Sequence, residues 1–273
     1  MEPAHTLMGI VNVTPDSFSD GGEFLDAGAA IAHAIELESQ GAGILDIGGE
    51  STRPGAQPVS AGEELERVLP VLEGVRRQAH AEISIDTSKA VVARAAVGAG
   101  AGIINDVSAL RADPEMAAVV ADSGVRCCLM HMLGEPRTMQ EHPRYADVVD
   151  DIRAFLEERL EFAVAAGIRE ERIILDPGIG FGKTTAHNLE LLMRLGEIAS
   201  LGRPVLVGTS RKSFIGRILG EPGGEAVPAE HRLAGTIATN VIALERGASI
   251  FRVHDVAPVR DALALAAATF GAA

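Results

Sequence analysis

Polar residues lie at the ends of eight short apolar runs in this sequence. They are Asn12, Asp46, Asp86, Asn105-Asp106, His131, Asp176, Thr209-Ser210-Arg211-Lys212, and the pair Arg252 and His254. Any one of them alone would be typical of a helix cap or a turn. Residues at the carboxyl ends of the strands of an α/β barrel meet at one rim, where barrel enzymes carry out their chemistry. All eight together therefore predict a ring of site residues that combines carboxylates, amides and cations.

Two long loops follow the first two of these runs, over residues 14–22 and 48–55. Both are rich in turn-forming residues, yet each carries a side chain that a plain connector does not need, Phe18 in the first and Arg53 in the second. Long loops at this rim often close over a substrate as lids. A solvated connector is the alternative interpretation of each loop.

The segment over residues 178–184, Gly-Ile-Gly-Phe-Gly-Lys-Thr, ends like a phosphate-binding P-loop. The P-loop pattern needs glycine at position 177, and Pro177 has no N–H to offer a phosphate. A nucleotide site is therefore not predicted here. We interpret the glycines as allowing the backbone to approach a flat ligand, with Phe181 as a stacking face.

The histidines and cysteines show no spacing typical of a zinc site. Cys127 and Cys128 lie in an apolar run and are expected to be inert core residues, which fits a reducing cytosol. His131 follows two apolar residues and is interpreted as a hydrogen-bonded core histidine rather than as a catalyst.

The elements that must position these residues can also be predicted. The apolar runs are short and rich in Ile, Val and Leu, as expected of strands buried on both faces. They cover residues 7–11, 43–47, 83–86, 102–105, 125–130, 172–175, 204–207 and 249–253. Amphipathic segments between them predict helices, the clearest over 65–75 and 148–159. Asp113 is predicted to be the N-cap of a further helix, with Pro114 at its first position.

Eight strands that are each followed by a helix predict a (β/α)₈ TIM barrel with its active site at the carboxyl ends of the strands. A doubly wound open sheet is the alternative, because periodicity does not show whether a sheet closes. No break in composition divides the chain, so residues 1–273 are predicted to form a single domain.

Composition and charge exclude several classes of protein. The chain has 47% hydrophobic residues, which argues against disorder. Its 24 Lys and Arg against 38 Asp and Glu give a net charge of −14, which argues against binding of nucleic acid. The longest stretch without a charge, residues 3–15, is too short to span a membrane, and no secretion signal is predicted at the start. An anionic substrate would need a local group of cations.

Eight segments together resemble the dihydropteroate synthase family. The two longest and most specific are NVTPDSFSDGG at 12–22 and DIGGESTRPG at 46–55. The others are residues 84–87, 104–106, 130–132, 176–178, 210–213 and 252–255. The resemblance implies a TIM barrel, commonly a homodimer, that joins 6-hydroxymethyl-7,8-dihydropterin pyrophosphate to 4-aminobenzoate. The products would be 7,8-dihydropteroate and pyrophosphate, with Mg²⁺ required, in folate synthesis. The location expected from the cysteines is the cytoplasm.

The resemblance also implies which residues bind the pterin. Asp86, Asn105 and Asp176 would accept from and donate to the polar edge of the ring, and Lys212 would donate to its carbonyl and ring nitrogen. An unmade hydrogen bond in such a buried slot costs about 1–3 kcal/mol, so these partners have to be fixed.

The resemblance implies a second group of residues around the leaving pyrophosphate. Arg252 and His254 would offset its charge, and Thr52 and Asn12 would complete the pocket, with Asn12 also a ligand of Mg²⁺. Lys212, Arg252 and His254 are accordingly the expected catalytic residues.

A third group would form the slot for 4-aminobenzoate. It comprises Phe18, Arg53, Pro54 and Phe181, with the amino end of a helix beginning near Ser213 receiving the carboxylate. No insertion lies beside Ser213, which implies a sulfonamide-sensitive form.

The bond that breaks joins oxygen to a carbon conjugated with an electron-rich dihydropterin. We therefore expect the pyrophosphate to leave first and the aromatic amine to capture the resulting cation. Two alternatives remain, a pterin-binding barrel that transfers a methyl group to a corrinoid protein and a catalytically silent pterin-binding protein. Loop residues 51–54 and the pair Arg252 and His254 favour pyrophosphate chemistry over methyl transfer. Intact Asn12, Lys212, Arg252 and His254 argue against a silent protein, which has no need of them.

Overall fold

Eight parallel strands alternate with helices along the chain of the computed structural model, which describes residues 5–14, 27–51, 57–135, 138–221 and 223–271. The strands are β1 Thr6–Asn12, β2 Ile44–Gly48, β3 Glu82–Asp86, β4 Ile103–Asp106, β5 Arg126–Met130, β6 Ile173–Asp176, β7 Leu206–Val207 and β8 Ile250–Val253. The helices are α1 Ala27–Ser39, α2 Ala61–Gln78, α3 Ala90–Ala99, α4 Met116–Ser123, α5 Val148–Ala165, α6 Thr185–Met193, α7 Leu195–Ala199, α8 Ser213–Leu219, α9 Leu233–Glu245 and α10 Val256–Phe270. None of the described helices is both long and apolar enough to cross a membrane.

The sheet closes into a barrel. Its strands are hydrogen-bonded in the order β6-β5-β4-β3-β2-β1-β8-β7, and every pair is parallel. The remaining gap is closed where the Leu175 N–H donates to the Pro204 carbonyl at 2.9 Å, beside a parallel bridge between Leu175 and Val205. The predicted TIM barrel is confirmed, and the open-sheet alternative is wrong.

The barrel interior has an apolar floor. Seven strands each contribute one side chain to it, and these are Met8, Ile44, Ile103, Cys128, Ile174, Leu206 and Ile250. The residues that alternate with them belong to the larger core between the barrel and its helices. Residues two apart on a strand face the same side. On four of these strands the next side chain on the same face, two residues nearer the carboxyl end, is therefore polar. These residues are Asp46, Asn105, Asp176 and Arg252.

One helix start differs from the prediction. Asp113 is not the N-cap of α4, which begins at Met116 after Glu115. Its Oδ1 accepts from the Glu115 N–H at 3.0 Å, and its Oδ2 accepts from the N–H of Ala90, the first residue of α3, at 2.8 Å. Asp113 therefore satisfies a free N–H of the preceding helix, a contact between distant residues that local sequence does not encode.

Candidate active site

Arg252 joins carboxylates from two other strands inside the barrel mouth. Its Nε donates to Asp46 Oδ2 at 2.6 Å, and its Nη2 donates to Asp86 Oδ2 at 2.8 Å. Asn105 Nδ2 donates to the same Asp46 oxygen at 3.1 Å. Because Asp46 is fully buried, its charge depends on these partners. The ring predicted at the strand ends thus includes one network that spans β2, β3, β4 and β8.

The protonation of this network is set by burial and by its own charges. Burial raises the pKa of Asp86 to about 7, and repulsion from Asp46 adds to the rise while Arg252 opposes it. Burial alone would lower the pKa of Arg252, but attraction to Asp46 and Asp86 outweighs it and raises that pKa. The site therefore keeps a permanent cation beside a carboxyl group that titrates near neutrality.

Lys212, in the loop between β7 and α8, also lies at the mouth, close enough to Arg252 for the two charges to repel. Its Nζ donates to the Ile179 carbonyl and lies 4.5 Å from the centre of the Phe181 ring. Burial lowers the pKa of Lys212 to about 8, although attraction to Asp176 opposes this shift. Burial also raises the pKa of Asp176, whose Oδ1 accepts from the Gly178 N–H at 2.6 Å. Lys212 and Asp176 form a second pair of opposite charges in the mouth.

Two contacts tie the loop after β7 to the loop after β8. Arg211 has a positive φ of 57°, and its guanidinium makes a two-point ion pair with Asp255, at 2.9 Å from Nε and 2.5 Å from Nη2. Ser210 Oγ and His254 Nδ1 lie 2.9 Å apart. These contacts hold Lys212 and His254 at the same rim as Arg252.

Comparisons with known proteins agree with this geometry. A model of the pterin binding enzyme family matches residues 8–254. The dihydropteroate synthase of Haemophilus influenzae is 47% identical over 266 residues, which cover 97% of this chain and 94% of that protein. The dihydropteroate synthase of a Synechocystis species is 50% identical over 250 residues, covering 92% of this chain and 85% of that protein. The chain belongs to the dihydropteroate synthase family.

Solved structures of the family share the fold over nearly the whole chain. The Yersinia pestis dihydropteroate synthase, solved as a sulfonamide drug complex, has a TM-score of 0.91 and 46% identity, covering 98% of this chain and 95% of that one. The Xanthomonas albilineans enzyme in complex with 7,8-dihydropteroate has a TM-score of 0.86 and 47% identity, covering 97% and 93%. The protein is thus a transferase that forms 7,8-dihydropteroate from 6-hydroxymethyl-7,8-dihydropterin pyrophosphate and 4-aminobenzoate in folate biosynthesis.

Several expected residues of the dihydropteroate synthase site can be located. Asn12 ends β1 and is paired in register with Gly48 of β2, and its half-buried side chain makes no hydrogen bond to the described residues. Ser213 is the first residue of α8. Thr52 and Arg53 lie outside the described residues, as do Phe18 and Pro54.

The base of the second long loop is held by a charged cluster that the sequence did not reveal. Lys89 Nζ lies 2.6 Å from Glu50 Oε2 and 2.5 Å from Glu64 Oε2. Glu50 Oε1 also accepts from the Val59 N–H at 3.0 Å, so that Glu50 connects the two ends of the loop. Arg67 Nη1 donates to the Gly49 carbonyl at 2.7 Å. We call Lys89, Glu50 and Glu64 the loop-two cluster.

Asp46 is the other residue whose role in the site the sequence did not reveal. Its place at a strand end predicts only membership of the ring of polar residues, whereas in the structure it accepts from both Arg252 and Asn105. Its position two residues after Ile44, on the face that forms the barrel floor, was a usable signal. The loop-two cluster had no such signal, since Glu64 in the first turn of α2 is typical of a surface residue that complements the helix dipole.

The remaining sequence-based interpretations concern buried groups. His131 is buried, with its Nδ1 2.9 Å from Lys183 Nζ, which confirms the hydrogen-bonded core histidine. Cys127 and Cys128 are free and buried, and burial raises the pKa of the Cys127 thiol to about 12. Both thiols are therefore inert at neutral pH.

Proposed function

We propose that the pterin ring binds in the barrel mouth against Asp86, Asn105 and Asp176. The observation that carries this proposal is the buried network in which Arg252 and Asn105 are bonded to Asp46 Oδ2 and Arg252 is also bonded to Asp86. This network leaves Asp86 Oδ1 and the Asn105 amide oxygen as acceptors for the N–H groups of the ring. Lys212 supplies the complementary donor to the carbonyl and ring nitrogen.

These protonation states give the enzyme a defined pH dependence. Below pH 7 Asp86 gains a proton and becomes a poorer acceptor, and above pH 8 Lys212 loses one and with it a donor. We expect kcat/KM for the pterin substrate to fall on both sides of this range. In the Asp46→Asn variant the acid limb of the kcat/KM profile, its fall at low pH, is expected to move to lower pH, because Asp46 raises the pKa of Asp86. An acid limb that stays in place or moves to higher pH would contradict the assignment of Asp86.

Arg252 and His254, with Thr52, are proposed to bind the leaving pyrophosphate. Arg252 uses Nε and Nη2 for the two carboxylates, and its Nη1 makes no hydrogen bond with the described part of the chain. The Arg252 side chain is 23% exposed, so a ligand in the mouth can reach it. In a chain of net charge −14, such local cations are what attracts a multiply charged anion.

We propose Asn12 as a protein ligand of Mg²⁺. The ion keeps most of its waters and takes few oxygen ligands from a protein, so one amide oxygen that lacks other partners fits it. When bound, Mg²⁺ neutralises charge on the pyrophosphate oxygens.

The 4-aminobenzoate slot is proposed to lie between the Phe181 ring and the aliphatic stem of Lys212, with Arg53 and Ser213 at its carboxylate end. The support is the close approach of Lys212 Nζ to the Phe181 ring, 4.5 Å from its centre. A sulfonamide occupying this slot would compete with 4-aminobenzoate, so we propose that this enzyme is sulfonamide-sensitive.

The reaction is proposed to begin with cleavage of the C–O bond. The pyrophosphate leaves with the bonding electron pair, and the conjugated dihydropterin stabilises the cation. The neutral aromatic amine then forms the C–N bond, and its surplus proton passes to water. Arg252 and His254 stabilise the charge that develops on the departing group. A strong general base is not required, because an arylamine is already unprotonated at pH 7.

Pyrophosphate release with and without 4-aminobenzoate tests this order. We expect rapid release that is matched by dihydropteroate formation when the amine is present. Without it, a slower release is expected as water captures the cation. A complete absence of release without the amine, under conditions where the pterin substrate is bound, would favour direct displacement instead.

We further propose that the enzyme is a homodimer that pairs through the face formed by α6, α8, α9 and α10. Exposed large apolar residues concentrate on these adjacent helices. They are Leu189, Met193, Ile218, Leu219, Ile242, Leu265 and Phe270. An apolar groove of about 350 Å³ between α9 and α10 is lined by Val241, Ala262, Leu265, Ala266, Thr269 and Phe270. Contiguous apolar surface of this kind marks an interface, and a second copy is the most common partner.

Leu265→Glu is expected to convert the dimer to a monomer, because Leu265 is 72% exposed on α10, within this face, and would be buried by a second copy. Sedimentation velocity measures the change. Val91→Glu is the matched control, since Val91 is also apolar and 52% exposed but lies on α3. A wild-type protein that sediments as a monomer would contradict the proposal, and so would a dimer that survives Leu265→Glu.

We propose that the enzyme works in the cytoplasm. The support is its two cysteines, which are adjacent, buried and not joined in a disulfide. Free thiols without a disulfide framework are typical of reducing compartments.

A further inference from the structure

The loop between β6 and α6 rests directly on the backbone that follows β5. Gly178, Gly180 and Gly182 have positive φ angles of 66°, 85° and 64°. A Cβ at Gly178 would lie 1.9 Å from the His131 carbonyl oxygen, and one at Gly182 would lie 2.7 Å from the Leu133 carbonyl oxygen. Glycine is required at both positions because the two backbones touch. This loop is the segment that resembles a P-loop in the sequence.

Lys183 lies inside this contact rather than at the surface. Lys183 is only 2% exposed. Its Nζ lies 2.9 Å from His131 Nδ1, 2.9 Å from the Phe181 carbonyl oxygen and 3.4 Å from the His131 carbonyl oxygen. Burial lowers the pKa of Lys183 and attraction to Asp176 opposes this shift, while the N–H groups of its Nζ face three acceptors. Burial lowers the pKa of His131 to about 2, with the Lys183 charge adding to the shift, so the neutral ring accepts at Nδ1.

Stability alone does not explain a lysine at this position. A buried cation loses its hydration, and an apolar residue of similar size often stabilises a protein as well or better. No carboxylate forms an ion pair with Lys183 among the described residues. The Lys183 amino group instead makes directional hydrogen bonds. They hold the Phe181 carbonyl against the segment after β5.

The same loop supports the two groups assigned to the 4-aminobenzoate slot. The Ile179 carbonyl accepts from Lys212, and a Cβ at Gly180 would lie 2.9 Å from Lys212 Cδ. The Phe181 ring lies 4.5 Å from Lys212 Nζ. The carbonyl that Lys183 holds and the ring that faces Lys212 belong to one residue, so fixing the first limits the motion of the second.

We propose that Lys183 is a positioning residue for 4-aminobenzoate, which it affects by holding Phe181 in place. The inference rests on the proposed slot. Replacing Lys183 frees the Phe181 carbonyl, and the ring then has to be ordered when the amine binds. Such ordering weakens binding without removing any group that touches the substrate.

The test is a double-mutant cycle on the full-length enzyme with Lys183→Met and Phe181→Ala. We expect Lys183→Met to raise KM for 4-aminobenzoate about tenfold, the effect of losing one hydrogen bond to a charged donor. In the Phe181→Ala background the same substitution is expected to change that KM less than twofold. A merely structural role would lower kcat through the folded fraction and leave KM unchanged in both backgrounds.

Two further variants complete the design. Tyr145→Phe removes a hydrogen bond to the Gly182 carbonyl at 2.8 Å in the same loop, and it is expected to leave KM for 4-aminobenzoate within twofold. Lys183→Leu also removes the donor and replaces Lys183→Met if the latter does not fold. The proposal is overturned if Phe181→Ala raises KM and neither Lys183 variant does, or if Lys183→Met raises KM equally in both backgrounds.

The assignment of Phe181 to the 4-aminobenzoate slot can be refuted independently of the role of Lys183. If Phe181→Ala leaves KM for 4-aminobenzoate unchanged, Phe181 is not part of the slot. Hydrogen exchange of residues 177–182 then decides the role of Lys183. Faster exchange in Lys183→Met, with the rest of the barrel unchanged, would support its role in ordering the loop. Unchanged exchange would refute it.

Discussion

Replacing Arg252 with methionine is expected to lower kcat by about 10²–10³-fold, the usual cost of removing one preorganised group that stabilises transition-state charge. Arg252 is held before substrate binds, by bonds of 2.6 Å and 2.8 Å to Asp46 and Asp86. Its charge is therefore in place when the C–O bond begins to break. Affinity for the pterin is expected to change less, because Asn105 and Asp176 remain. Rapid-quench measurement of dihydropteroate formation, together with equilibrium binding of the pterin, separates the two effects.

The methionine variant also leaves Asp46 buried without its cation, and this could lower activity through instability alone. The double variant Arg252→Met with Asp46→Asn is the control, since it removes the unpaired charge together with the cation. We expect the double variant to regain thermal stability and to remain as slow as Arg252→Met. Recovery of kcat in the double variant would show that Arg252 acts only by neutralising Asp46.

Lys89→Met is expected to lower the free energy of unfolding by about 3–5 kcal/mol, as is typical when one partner of a buried ion pair is removed. Glu64 is fully buried, its Oε2 depends on Lys89, and its Oε1 has no hydrogen-bond partner in the described structure. Without Lys89 the Glu64 charge is buried and unpaired. Urea unfolding followed by circular dichroism measures the change.

Two controls identify the cause. Arg153→Met breaks an ion pair of similar length, 2.8 Å to Glu157, whose partners are 43% and 41% exposed. Its cost is expected to be below about 1 kcal/mol because water screens the charges. Lys89→Met combined with Glu64→Leu is expected to recover most of the lost stability. Equal costs for Lys89→Met and Arg153→Met would mean that the loop-two cluster contributes no more than a surface pair.

Strand positions were the most predictable part of this fold. Every predicted strand overlaps an observed one, because runs of Ile, Val and Leu that are buried on both faces leave a clear pattern. The closure of the sheet depends on the contacts of Leu175 with Pro204 and Val205, and the sequence pattern alone does not distinguish a closed sheet from an open one. The resemblance to a known family agreed with the barrel that the strand count had already favoured.

Within the site, residues marked by their own position in a strand could be predicted, whereas contacts between side chains far apart in the sequence could not. Arg252 and Asp86 could be predicted from their places at strand ends, where position and residue type both indicate function. The cluster of Lys89 with Glu50 and Glu64 joins residues that are 39 and 25 positions apart, and its members look like ordinary surface charges in sequence. Lys183 stands out in the sequence only through its motif, and its contact with His131 spans 52 positions. Long-range pairing between side chains of this kind is decided by packing, which local patterns do not contain.

The central claim is that the C–O bond of the pterin substrate breaks before the amine bonds to carbon. Substrate labelled with ¹⁸O in the bridging position, incubated with enzyme and Mg²⁺ but without 4-aminobenzoate, tests it directly. If the pyrophosphate leaves and returns, recovered substrate carries label in the non-bridging positions of the adjacent phosphate, and we expect this exchange in the wild type and its near loss in Arg252→Met. Label that stays entirely in the bridge, over a time in which the complete reaction turns over many times, would contradict the claim.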